Sequence, residues 1–267
     1  MLGRVKKIPE SIGKLPYLKE LSIDCYYLRE FPEFLCYLTS LEELVLTGGG
    51  SKFRKLPDSF GNLKTLKKLQ ISSFIYLETL PESFGNLSAL CELCFDLCRI
   101  GHFPESFGNL SALETLRILR AGLEKLPESI GNLRNLKFFE SELDNFTQLP
   151  ESFGNLTSLE ELILVSNKIT YFPESFGNLK SLKVLHIGAN PDTIILKEKP
   201  SKKNGERQRG SMPEYEAIQF PESFGGLESL EEIRITGNIA KLPESFGRLR
   251  HLKILDLSFW IFVVVKH

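Results

Sequence analysis

The sequence predicts an α/β solenoid of about ten stacked coils, and three observations carry that prediction. One phrase recurs along the chain, its prolines keep a nearly constant spacing, and each copy is followed by the pattern L-x-x-L-x-L. The phrase reads IPESIGKL at 8–15, FPEFLCYL at 31–38, LPDSFGNL at 56–63, LPESFGNL at 80–87 and FPESFGNL at 103–110. It continues as LPESIGNL at 126–133, LPESFGNL at 149–156, FPESFGNL at 172–179, FPESFGGL at 220–227 and LPESFGRL at 242–249. Its prolines, from Pro9 to Pro243, are spaced by 23, 25, 24, 23, 23, 23, 23, 48 and 22 residues, which gives ten copies and one insertion. Self-similarity at this period means that each unit buries its apolar face only against its neighbours.

Each unit has two parts. In Leu159-Glu-Glu-Leu162-Ile-Leu164 the final L-x-L alternates with period two, as in a short strand with one buried face. The remaining residues are too few for a full helix and two turns, so the return must be compact. Proline sets its own φ and pushes the preceding Leu or Phe to an extended conformation. Followed by Glu near exposed amides, it opens a brief helical or 3₁₀ segment. The glycine is then expected to allow a sharp exit from that segment.

Composition excludes several function classes. The chain has 267 residues, 25% charged and 42% hydrophobic, as in a folded domain. Thirty-three Lys and Arg balance 34 Asp and Glu, which removes any global drive toward phosphate backbones or anionic lipid. The first nine residues have no apolar stretch of signal-peptide length, and the longest apolar run, 259–265, is too short to span a bilayer. Five cysteines, an odd number, fit a reducing compartment better than a disulfide framework.

The LPESFGNL phrase joined to L-x-x-L-x-L resembles the leucine-rich repeat family. The 23-residue period, with a proline opening the return, is similar to its short intracellular class. That class includes plant Ras-group-related proteins and Ras-pathway scaffolds, and plant immune-receptor repeats are similar. The resemblance covers residues 5–260 apart from the insertion. It implies a horseshoe whose concave face is a parallel sheet, with short 3₁₀ or turn segments on the convex side. It also implies a cytoplasmic, non-enzymatic scaffold whose partners are signalling proteins such as small GTPases, kinases or phosphatases. It names no particular partner, because function lives in the site and not in the fold.

Departures from the family pattern carry expectations of their own. Three residues after the second strand leucine the family usually has Asn, whose amide bonds turn backbone. Here only Asn167, Asn190 and Asn238 occupy that slot, which elsewhere holds Tyr26, Gly49, Phe74, Cys98, Ala121, Asp144 and Trp260. The turns of repeats one to six should therefore be less regular. Ser141 stands where a buried aliphatic belongs, which predicts a local shift or a hydrogen-bonded core serine.

The organisation expected is one domain over 1–267, with repeats starting near 8, 31, 56, 80, 103, 126, 149, 172, 220 and 242. The chain opens inside a repeat and closes on Phe259 to His267 with no polar capping module. It is read as a fragment of a longer chain, or as one whose ends are covered by atypical strands or a partner. Residues 191–219 are expected to be an inserted, mobile loop. Its centre, Lys197 to Arg209, is too polar to fold alone, with Lys197, Lys199, Lys202, Lys203, Arg207 and Arg209 against Glu198 and Glu206. It is either a solvated loop or a basic clasp over the concave face.

No catalytic set emerges from the sequence. Cys91-Glu-Leu-Cys94 is a CxxC, but on a strand its thiols lie about 10 Å apart on opposite faces, so a structural role is expected. Gly48-Gly-Gly-Ser-Lys52 lacks the ending of a phosphate loop. The sequons at Asn86, Asn109, Asn145 and Asn155 are discounted, three of them as by-products of the GNL phrase. His102, His186, His251 and His267 join no readable constellation, and Glu pairs such as Glu160-Glu161 recur at one repeat position, as a solvated rim does. Neither cofactor nor metal is expected.

In L-x-x-L-x-L-x the third, fifth and seventh residues point away from the core, so equal positions of successive repeats form columns about 4.8 Å apart. Repeats five to eight place Leu119, Phe138, Ile163, Val165 and Val184 on that face, bordered by Arg117, Glu140, His186 and Arg234. Apolar residues rimmed by charge mark a protein-binding patch; ordinary β-propensity on an open sheet is the competing explanation. The function expected is protein–protein recognition on the concave face. The alternative is a ligand-sensing segment of a larger signalling enzyme or immune receptor.

Overall fold

Alternating leucines give each short strand one face that cannot remain in water, and stacking equal strands side by side is the arrangement that buries all of them. A computed structural model describes residues 7–48, 52–143, 147–165, 168–188 and 217–258. The strands are β1 Glu20–Asp24, β2 Glu43–Thr47, β3 Lys68–Ser72, β4 Glu92–Asp96, β5 Thr115–Leu119 and β6 Phe138–Glu142. They continue with β7 Glu161–Val165, β8 Val184–Gly188, β9 Ile218–Gln219, β10 Glu232–Thr236, β11 Ile239–Lys241 and β12 Ile254–Ser258. Ten of them form one sheet in the order β1-β2-β3-β4-β5-β6-β7-β8-β10-β12. Neighbours are parallel and in phase, so that Leu116 lies opposite Phe139, Phe139 opposite Leu162 and Leu162 opposite Leu185.

The insertion leaves this stack unbroken. β8 pairs directly with β10, Val184 opposite Glu232. Residues 218 and 219, expected to be loop, instead form β9, which pairs with β11 and buries Ile218. The clasp residues 197–209 and the Asn-slot positions Gly49, Asp144, Asn167, Asn190 and Trp260 lie outside the described residues.

Among the described residues there are ten 3₁₀ segments of five residues, from Glu10–Lys14 before β1 to Glu244–Arg248 before β12. Each begins directly after the repeat proline, in extended conformation, with an acidic residue first. The fourth residue is the glycine in nine of them and Cys36 in repeat two, and the glycine's role differs from the one expected. The backbone dihedrals of these glycines are not left-handed. Their constraint is close approach: a Cβ on Gly61, Gly85 or Gly154 would lie 2.1 Å from the carbonyl oxygen of Ser83, Ser106 or Ser175 in the next coil. Successive returns touch backbone to backbone at this point.

The phenylalanine one residue earlier builds the interior. Phe60, Phe84 and Phe107 stack with ring centroids 5.9 and 6.2 Å apart, and Phe153, Phe176, Phe224 and Phe246 continue at 6.5, 5.8 and 4.7 Å. Ile130 takes the place in repeat six.

Repeat six also holds Ser141, and the structure shows neither of the two accommodations expected. The strand keeps its register, Ile118 opposite Ser141 and Ser141 opposite Leu164. The serine is fully buried, and its hydroxyl has no hydrogen-bond partner among the described residues. An unsatisfied buried hydroxyl costs about 1–3 kcal/mol. Ser141→Val, which replaces the hydroxyl with methyl groups between two aliphatics, is expected to stabilise the chain by about 1–2 kcal/mol, read as a shift of the urea midpoint. A lower midpoint would show that the site has no room for the branched side chain.

Three of the turns that lack asparagine share one feature. The residue after β3, β4 and β5 is left-handed in each case: Ser73 at φ 63°, Leu97 at 53° and Arg120 at 48°. In repeat four the Cys98 thiol stands in for the missing amide, donating toward the Ile71 carbonyl at 3.3 Å. In repeat three Phe74 fills the slot with its ring, and Gly48 of the coil before makes room, since a Cβ there would lie 2.5 Å from that ring.

Candidate functional site

Constant repeat length and strand parity place the outward residues of the sheet in columns, and the observed register assembles the expected patch. Arg117 is opposite Glu140, Glu140 opposite Ile163, Ile163 opposite His186, and His186 opposite Arg234. In the flanking columns Phe138 is followed by Glu161 and Val184, and Leu119 by Glu142 and Val165. Val165 and Gly188 are next to each other, so the apolar set thins out at β8.

The five apolar members are half-buried rather than exposed. Part of the cover comes from within the patch. The Arg117 guanidinium lies over the Phe138 ring, 5.0 Å from its centroid, while its Nε is 3.4 Å from Glu140 Oε2. The arginine thus links an aromatic face to a carboxylate across one strand pair, and such a cation–π contact at a partly exposed site is worth about 0.5–1 kcal/mol. At the other border Glu232 holds two groups: its Oε1 is 2.8 Å from His186 Nε2 and also accepts from Arg234. Arg234, and secondarily His186, keep the Glu232 carboxyl below the usual carboxylate range.

Between β7 and β12 the alternation of Glu161, Val184, Glu232 and Ile254 leaves a shallow groove of about 210 Å³. It adjoins the patch and shares only Val184 with it. Along its rim runs a column of alternating charge, the second residue of each L-x-x-L-x-L. Lys19 and Lys67 both bind Glu42, and their hydrogen bonds hold its carboxyl down at about 2. Farther along, Lys137 pairs with Glu114, Lys183 with Glu160 and Lys253 with Glu231, at 2.6–2.9 Å. Cys91 occupies this column between Lys67 and Glu114.

The thiols of the CxxC and of Cys98 fall in different settings. Cys91 precedes β4 and Cys94 lies within it, both half-buried, while Cys98 is buried in the turn. Burial pushes the Cys98 thiol up to about 11, and burial raises Cys94 as well. Among the described residues no group of three or more His, Cys, Asp or Glu could hold a metal ion, and no helix is long and apolar enough to cross a membrane.

Sequence reasoning missed a second surface. The exposed large apolar side chains include Tyr26, Tyr27, Ile75, Tyr76 and Leu97, all in the turns that follow the strands of repeats one, three and four. The signal was present in the sequence as apolar residues next to the family's Asn slot. Unequal turn lengths in repeats two and three hid their alignment.

A family model described as a leucine-rich repeat region matches residues 95–199. No curated protein matches the chain. Among solved structures it is similar to a leucine-rich repeat protein of Leptospira interrogans, with 20% identity, 96% of this chain and 76% of that chain covered, and a TM-score of 0.60. It is also similar to the leucine-rich repeat domain of the type III effector XopL, at 22% identity, 95% and 73% coverage, and a TM-score of 0.63. A chain of the Drosophila Toll–Spatzle complex matches at 19% identity, 96% and 36% coverage, and a TM-score of 0.67. With ten parallel strands, ten 3₁₀ returns and these matches, the chain is folded as a leucine-rich repeat solenoid.

Proposed function

We propose that the chain is a non-enzymatic scaffold of the short intracellular type, which binds a protein partner on its concave face across repeats five to eight. One observation carries this reading: register brings Leu119, Phe138, Ile163, Val165 and Val184 together on the outward face of adjacent strands, with Arg117, Glu140, His186 and Arg234 at their border. A sheet held by ten in-phase strands presents these groups preorganised, which lowers the ordering cost of association. The family resemblance supports a cytoplasmic signalling role and partners such as small GTPases, kinases or phosphatases.

Phe138→Ala combined with Ile163→Asp is expected to abolish partner capture in affinity purification while leaving the thermal melt nearly unchanged. Capture by the double variant at the wild-type level would remove the patch from the account. A chain lacking 192–217, run in parallel, reports whether the basic insertion contributes to binding. The alternative, a ligand-sensing segment of a larger receptor or signalling enzyme, is supported by the match to the Toll–Spatzle complex, where this chain spans 36% of its counterpart. An adjoining catalytic or nucleotide-binding domain in the surrounding coding sequence would decide for it.

A further inference from the structure

The flank formed by the turns after the strands has its own columns, set by backbone contacts. Glu78 N donates to Arg54 O at 2.9 Å, Gly101 N donates to Glu78 O at 3.3 Å, and Lys55 bridges Thr79. Phe53, Leu77 and Ile100 are buried at one equivalent position, with Leu28 partly buried there in repeat one. The residues just before them therefore form an exposed row: Tyr27, Lys52, Tyr76 and Arg99. Aromatic and cationic side chains alternate along it, one per coil. Tyr26 packs edge-on against Tyr27, ring centroids 4.9 Å apart, and braces it.

Two further features single out this flank. Ile75 and Leu97 stand beside the row, 51% and 40% exposed. Leu97 takes the left-handed conformation that Ser73 and Arg120 take at the same point of the neighbouring turns. The charge is also unbalanced. Arg29, Lys52 and Arg99 are exposed and make no ion pair among the described residues, whereas Arg54 is engaged by Glu78 at 3.5 Å.

We propose that this flank of repeats one to four is a second docking surface, and that it takes an acidic polypeptide segment bearing aliphatic side chains. The unpaired cations match carboxylates, the tyrosines supply rigid amphipathic contact area, and Ile75 with Leu97 receives an aliphatic anchor. Glu30 and Glu78 on the same flank oppose a backbone charged at every unit, which favours a peptide over a nucleic acid.

Fluorescence anisotropy on the whole chain tests this, with a labelled peptide of repeated Glu-Glu-Leu triplets as the probe. Arg29→Glu, Lys52→Glu and Arg99→Glu together are expected to weaken binding at least about tenfold. Leu97→Ser is expected to weaken it separately, and Phe138→Ala with Ile163→Asp to leave it unchanged, so that the two surfaces are distinguished. Circular dichroism checks that each variant is folded. No binding to the wild type, equal binding by the charge-reversed variant, or tighter binding of oligouridylate lost on the same substitutions would each overturn the proposal.

Discussion

Phe84→Ala is expected to lower stability by about 4 kcal/mol, within the ~3–5 kcal/mol range for emptying a buried phenylalanine site. The ring is fully buried and meets Phe60, Phe95 and Phe107 at centroid distances of 5.9, 6.3 and 6.2 Å. The coils on either side cannot close over the space, because β3, β4 and β5 fix their separation through the sheet. The loss therefore includes both the transfer term and the cavity. Chemical denaturation followed by circular dichroism measures it. The same substitution at Phe246, which is only partly buried, should cost clearly less. Equal losses at the two positions would mean that the ring stack does not carry the stability assigned to it.

Gly154→Ala should also be severe, about 3 kcal/mol, at the upper end of what overpacking costs. The added methyl would sit 2.1 Å from the Ser175 carbonyl oxygen and 2.6 Å from its Cβ. Two backbones would have to part, and with them the bond from the Ser175 hydroxyl to the Glu151 carbonyl. Gly247, in the same phrase of the last copy, is the control. Among the described residues nothing lies within 4 Å of where its Cβ would be, so Gly247→Ala should be neutral or stabilising by up to about 1 kcal/mol. If both alanines behave alike, the close approach between coils is not what selects glycine.

This pair of glycines marks the limit of what could be read from the sequence. Period, proline and alternating leucines are local, so the strands, the 3₁₀ returns and their number were legible. A glycine in a turn has two physical explanations, a left-handed backbone or a neighbour too close for a Cβ, and only the adjacent coil distinguishes them. Ser141 shows the same limit from the other side. Its burial was legible from its position, but whether the hydroxyl finds a partner depends on side chains more than twenty residues away. The concave columns were legible because parity and equal spacing dictate register. The contact of the Arg117 guanidinium with the Phe138 ring was not, since it depends on side-chain conformations. Along the flank the turns of repeats two and three differ in length, so counting residues does not align Lys52 with Tyr76.

The rim of alternating charge has a consequence for how the coils choose their neighbours. Glu42 sits between Lys19 and Lys67, and Lys137, Lys183 and Lys253 each pair with the acid of the coil before. A stack that skipped the coil of Glu42, Lys137, Glu160, Lys183 or Glu231 would set like charges side by side, an unfavourable term of about 0.5 kcal/mol. The neutral Cys91 is the exception: omitting its coil would bring Lys67 beside Glu114, so the charge ladder does not guard against mis-stacking there.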